Sequence, residues 1–149
     1  MKILLGVDDS KSSVNLAQAI GAQFRTEDTQ IRVLHVLPPI SIWAPPQMAQ
    51  GYAPELEDLK KPAHQLVEQI ARELREKGFQ SDTAIEVGDV RENLIDSAAE
   101  WGADLIVLGS HGQRSIQRFL IGSVAEYVAR HARCSVQIVR CPPPALPRP

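Results

Sequence analysis

No apolar stretch of this 149-residue chain approaches the roughly 18–20 residues that span a bilayer. The opening run Met1-Lys2-Ile3-Leu4-Leu5-Gly6-Val7 meets acid at Asp8-Asp9, too soon for the core of a signal peptide. It reads instead as a first buried strand, and the expected location is the cytoplasm. Long basic runs are lacking too, and the formal net charge is -2, which gives no electrostatic reason to expect a nucleic-acid partner. Cysteine is scarce: Cys134 and Cys141 alone, flanking the apolar segment Val136–Val139. If that segment is a strand, about 3.3 Å per residue sets them roughly 20 Å apart, which excludes a bond within one chain. Two reduced thiols are expected. Glycine motifs of the two commonest nucleotide folds are missing as well. There is no Gly-Lys-Ser/Thr of a Walker A loop, and no closely spaced Rossmann triplet.

What remains is an ordinary globular composition, 44% hydrophobic and 23% charged, in a length that suits one domain. Five short apolar runs read as strands: Lys2–Val7, Ile31–Leu37, Thr83–Val87, Asp104–Leu108 and Val136–Arg140. Leu105-Ile106-Val107-Leu108 shows no polar alternation, so burial on both faces is expected, as in a parallel sheet covered by helices. Helical spacing falls between the runs. Val14, Ala17, Ile20 and Phe24 follow Ser12. Leu59, Ala63, Leu66, Ile70 and Leu74 lead to a stop at Gly78, and Pro62 suits a first turn, so this helix is expected to begin near Lys61. Leu94, Ile95, Ala98 and Trp101 follow the capping-box pattern Asp89-Val90-Arg91-Glu92 and end at Gly102. Val124 and Val128 share a face of a fourth helix after Ser123.

Strict strand–helix alternation predicts an α/β fold: a doubly wound, five-stranded parallel sheet with helices on both faces. Pro38–Pro54, with Trp43, Met48 and Tyr52, reads as a long loop, and the insertion is bounded at about 38–58. The expected domain is 1–141, followed by a Pro-rich tail over 142–149.

The most informative segment is Gly109-Ser110-His111-Gly112, then nine residues, then Gly122-Ser123. Glycine lets backbone N–H groups approach a ligand without a Cβ in the way. A helix start offers unpaired N–H groups and the positive end of a dipole, so turn and helix together suit a phosphate. Ser123-Val124-Ala125-Glu126 also has the form of a capping box, so Ser123 has a competing reading as a simple N-cap. Asp8 likewise has one as a cap of the first helix.

The spacing Gly, two residues, Gly, nine residues, Gly, Ser resembles the ATP-binding signature of universal stress proteins. Trp101–Gly109, Gly122–Val128, Ile3–Ser10 and Val33-Leu34-His35-Val36 resemble that family's flanking strands and helix, and the likeness covers about residues 2–140. It implies an adenine-nucleotide alpha-hydrolase-like sheet of order 3-2-1-4-5, with the ligand at the switch between the first and fourth strands. By the same resemblance Val7, Asp8 and Ser10 form one lip, Asp8 near the ribose and a phosphate-bound Mg²⁺ or Mn²⁺. The backbone around Val36 meets adenine. Gly109, His111, Gly112 and Gln113 line ribose and phosphates, and Gly122, Ser123 and Val124 hold the phosphates of ATP, ADP or AMP. The resemblance also implies a homodimer through the last strand (136–140), which Gln137 makes more polar than is usual. Asp9 stands where the family often has a small residue.

No P-loop lysine and no clear base for a water are present, so the chain reads as a binding protein, with hydrolysis slow at most. An alternative is a nucleotide-free dimeric interaction module of the same fold. A phosphoacceptor receiver domain shares the Asp8-Asp9 pair but lacks the aspartate and lysine that chemistry requires. An adenylating enzyme would need a substrate pocket and usually more chain.

Overall fold

The computed structural model describes residues 1–9, 12–39, 53–110 and 121–140. Its elements alternate as expected: β1 (Lys2–Val7), α1 (Ser12–Gln23), β2 (Gln30–Leu37), α2 (Ala53–Glu76), β3 (Gln80–Val87), α3 (Val90–Trp101), β4 (Leu105–Gly109), α4 (Ser123–His131) and β5 (Ser135–Val139). The strands form one parallel sheet in the order β3-β2-β1-β4-β5.

Period-two alternation sorts each central strand between two cores. Ile3, Leu5, Ile31, Val33, Leu105 and Val107 face one side, against Leu16, Ala17 and Ile20 of α1 and Val67, Ile70 and Leu74 of α2. Leu4, Leu34, Val36, Ile106 and Leu108 face the other, against Leu94 and Ala98 of α3 and Val128 of α4. The unbroken run in β4 is therefore buried on both faces, with Ile106 and Val107 at 0% exposure.

α3 shows how local sequence sets helix bounds. The Asp89 carboxylate accepts from the Glu92 amide at 3.1 Å, closing the N-terminus. At the other end Gly102 sits at φ 75°, in the left-handed region that glycine enters without a Cβ penalty. The Ala103 amide then reaches back to the Ala98 carbonyl at 2.8 Å.

Two boundaries differ from the sequence reading by more than two residues, while β2, β4 and β5 shift by one. α2 begins at Ala53, not near Lys61, and Pro62 lies inside it. The proline that occupies the first turn is Pro54, where a missing N–H would have had no partner anyway. Ion pairs Glu57–Lys60 and Asp58–Lys61 span the turns before Pro62, at 3.6 and 3.2 Å. The insertion after β2 is correspondingly shorter than 38–58. β3 begins at Gln80 rather than Thr83, because polar side chains pair it to β2: Gln30 with Gln80 at 3.1 Å and Arg32 with Asp82 at 2.8 Å. An apolar-run criterion passes over such residues. Residues 40–52 and the tail from 141, with Trp43, Met48, Tyr52 and Cys141, lie outside the described residues.

Candidate functional site

The sheet opens where its order reverses. β1 and β2 stay paired to the end, Val7 opposite His35. β4 and β5 stay paired to Gly109 opposite Val139. Between them, β1 and β4 are paired only from Ile3↔Leu105 to Leu5↔Val107. The last residues of β1 and of β4 therefore flank a gap at the carboxyl ends of the strands, the position where open α/β sheets receive ligands.

One lip is Val7-Asp8. Val7 is buried against the α1/α2 core, and Asp8 is half-buried while Asp9 is exposed. The Ser13 hydroxyl, itself 2% exposed, donates to the Asp8 carbonyl at 2.7 Å. The same oxygen lies 3.2 Å from an Asp8 carboxylate oxygen and accepts from the Asp8 amide at 3.2 Å. On the sheet side, His35 Nδ1 donates to the Val7 carbonyl at 2.8 Å. The exposure of Asp9 separates the two acids: among the described residues it is Asp8 that Ser13 ties into the fold at this lip.

The other lip is Gly109-Ser110 with the start of α4. Ser110 is buried, its amide donates to the Val139 carbonyl at 2.9 Å, and its carbonyl accepts from the Gly122 amide at 2.6 Å. This last bond fixes the entrance of α4 beside the end of β4. Gly122, not Ser123, is the N-cap, and no side chain caps the helix there. The first intrahelical bond runs from the Glu126 amide to the Gly122 carbonyl at 3.0 Å. The capping box expected from Ser123 to Glu126 is accordingly not formed. The amides of Ser123, Val124 and Ala125 occupy the first helical positions, where N–H groups have no intrahelical partner. Val124 turns its side chain into the α3/α4 core, so it offers the site only its main chain, whereas Ser123 is exposed.

Val36 is 6% exposed with its side chain in the same core, so it too meets the crevice only through backbone. Ser10, His111, Gly112 and Gln113 lie outside the described residues, as do Arg114 and Arg118. Among the described residues no three His, Cys, Asp or Glu side chains group to hold a metal.

The model of the universal stress protein family matches residues 1–140. The chain belongs to the universal stress protein family. Among its relatives is the universal stress protein Sll1388 of Synechocystis, 30% identical over 93% of this chain and 97% of that protein. The solved structure of the hypothetical protein MJ0577, a universal stress protein of Methanocaldococcus jannaschii, superimposes with a TM-score of 0.83 at 28% identity, covering 95% of this chain and 96% of that one. A universal stress protein from Archaeoglobus fulgidus, solved in complex with dAMP, gives a TM-score of 0.67 at 23% identity over 93% and 96% of the two chains.

Sequence reasoning passed over three residues that this universal stress fold places at the lips: Ser13, His35 and Ser110. Each carried a faint signal. His35 is the only ionisable residue in the second half of an apolar strand, and Ser13 and Ser110 adjoin residues already singled out. A cleft of about 190 Å³ elsewhere, lined by Arg32, Glu86, Ser97, Glu100 and Trp101, contains none of the predicted residues. In the described residues no helix is long and apolar enough to cross a membrane.

Proposed function

We propose that this universal stress protein binds an adenine nucleotide, ATP foremost, in the gap between β1 and β4. The observation that carries the reading is the pairing of β1 with β4, which ends at Leu5↔Val107, so that the end of β1 at Val7-Asp8 parts from the end of β4, where the Ser110 carbonyl holds the α4 entrance at Gly122. In this reading the phosphates rest on the amides of Ser123 and Val124, where N–H groups and helix dipole favour negative charge. The Ser123 hydroxyl adds a donor. Backbone at Gly109, His111, Gly112 and Gln113 lines the ribose and phosphates, and backbone at Val36 meets the adenine edge. Val7 and Ser10 complete the lip around Asp8.

A Mg²⁺ or Mn²⁺ ion would arrive with the phosphates and take Asp8 as one protein ligand, the usual arrangement when carboxylates are few. Archaeoglobus dAMP supports the reading only through the shared fold, so the weight falls on the residues of this chain. The nucleotide-bound state and a homodimer through β5 are the proposed outputs in a cytoplasmic stress response. Hydrolysis is slow at most.

The test is equilibrium binding of Mg-ATP, AMP and Mg-GTP to wild type and Gly122→Val. Gly122 has φ -61° and ψ 156°, which valine adopts readily, so the substitution adds bulk without backbone strain. Adenine-selective binding by wild type, weakened at least about tenfold in the variant, is expected. Absence of binding by folded wild type would leave the nucleotide-free dimer in its place.

A further inference from the structure

The Val7-Asp8 segment has lost its strand neighbour on the crevice side, since pairing with β4 ends at Leu5↔Val107. Side chains take over. The Ser13 hydroxyl donates to the Asp8 carbonyl at 2.7 Å and accepts from the Asp8 amide at 3.2 Å, with an Asp8 carboxylate oxygen 3.2 Å from the same oxygen. His35 holds Val7, the residue before it, by the carbonyl at 2.8 Å. A carbonyl can only accept, so Nδ1 of His35 carries the hydrogen, which fixes the role of that nitrogen.

His35 follows Ile31 and Val33 on the strand face that builds the α1/α2 core, where both are at most 1% exposed. An apolar side chain would serve burial there better than an imidazole, whose partial burial is unfavourable unless it is hydrogen-bonded. The Val7 carbonyl supplies that bond. The imidazole at this place thus answers to the end of β1 and not to the core.

We infer that His35 is a positioning residue of the nucleotide site: by holding the Val7 carbonyl it sets the peptide that carries Asp8, while Ser13 fixes the other side of the same residue. The inference rests on the nucleotide reading above for its functional meaning, and on the two clamps for its geometry. His35 does not need to touch the ligand. Its contribution is that Asp8 waits in one orientation, so that binding does not have to order it.

The experiment compares His35→Asn and His35→Phe with wild type in the full-length protein. The Asn side-chain N–H lies near the place of imidazole Nδ1–H and can still donate, whereas Phe keeps the ring and loses the donor. Amide hydrogen exchange of Asp8 is followed by NMR without ligand, since that N–H bonds to Ser13 Oγ, and thermal melting confirms that each variant folds. His35→Phe is expected to speed Asp8 exchange about tenfold and to weaken Mg-ATP binding by about the same factor, the size of one lost hydrogen bond. His35→Asn is expected to stay within about threefold of wild type in both. Unchanged exchange and affinity in His35→Phe would overturn the inference. So would an Asn variant as impaired as Phe, because ring shape and not the donor would then be responsible. Should wild type bind no nucleotide, the proposed function falls, and Asp8 exchange alone decides whether His35 positions that residue.

Discussion

A Cβ placed on Gly6 would lie 2.5 Å from Cδ2 of Leu108 and 2.8 Å from Cδ2 of Leu94. Gly6 therefore works by size. It lies on the face of β1 that meets α3, one residue past the last β1–β4 pair, and two leucines fill the space its missing side chain leaves. Both are nearly buried, at 4% and 3% exposure, so neither can swing into solvent to make room.

Gly6→Ala is expected to destabilise the fold by about 1–3 kcal/mol, the usual range for an overpacked core. Leu108→Ala alone is expected to cost about 2–5 kcal/mol through the cavity it leaves. In the double variant the new methyl group occupies part of that cavity, so the combined loss should fall short of the two single losses added together. Chemical denaturation of the four proteins checks this. Simple additivity would show that Leu108 is not what excludes a side chain at position 6.

A second prediction concerns acid. The Asp89 carboxylate is held below its ordinary pKa, chiefly by the Glu92 amide that it accepts from and secondarily by the charge of Arg91, whose guanidinium lies 3.7 Å away. A carboxylate with a depressed folded-state pKa contributes stability that is fully present above its unfolded pKa, near 3.8. That contribution is lost as the pH falls through the lower folded value. Asp89→Ala should cost about 1 kcal/mol at neutral pH, the typical worth of an N-cap. Asp89→Asn caps without a charge, so it should retain most of the stability at pH 7. The gap between wild type and Asp89→Asn should then close as the pH drops below about 4. Urea denaturation at several pH values measures that gap, and a constant gap would show that the charge of Asp89 is irrelevant to the cap.

The particular residues show why some features were legible and others not. Leu105–Leu108 announced a doubly buried strand because hydrophobic burial leaves a direct trace in composition, and Gly78 and Gly102 marked helix ends because each adopts positive φ, at 101° and 75°. The sheet order and the helices on both faces follow from alternation together with the family likeness. The start of α2 was misplaced because two prolines suit a first turn and the periodic apolar signal begins only after the second. β3 was read short because Gln80 and Asp82 pair through polar groups, which mimic a loop in any hydropathy pattern. At the crevice, Asp8, Gly109 and Gly122 were singled out from position and spacing, because they adjoin strand ends and a helix start that the apolar pattern marks. The Ser13 and His35 clamps were not, because hydrogen bonds between residues 5 and 28 positions apart depend on how strands end in space. The N-cap moved from Ser123 to Gly122 for a similar reason: the Ser110 carbonyl takes the Gly122 amide and fixes where the helix begins.

The last prediction tests how much an exposed ion pair contributes when an aromatic ring lies beneath it. Arg32 meets Asp82 in a two-point contact, Nε to Oδ1 at 2.8 Å and Nη2 to Oδ2 at 2.9 Å. Its guanidinium also lies 4.6 Å from the centre of the Trp101 ring, which Lys2 approaches at 5.3 Å. Asp82 is 56% exposed, so solvent screens the pair and its coupling should be only about 0.2–1 kcal/mol. The ring contact adds roughly 0.5–1 kcal/mol on the Arg32 side alone. Arg32→Ala should therefore cost about 1–2 kcal/mol and Asp82→Ala less than about 1 kcal/mol. Arg32→Lys should recover little, because an ammonium cannot make the planar two-point contact and stacks less well. Raising the salt concentration should shrink the coupling between Arg32 and Asp82 while leaving most of the excess cost of Arg32→Ala, since the ring contact is shielded from ions more than the exposed pair is. A double-mutant cycle at low and high salt separates the two parts. Equal costs for Arg32→Ala and Asp82→Ala would mean that the ring contributes nothing and that Arg32 serves this face of the sheet through its charge alone.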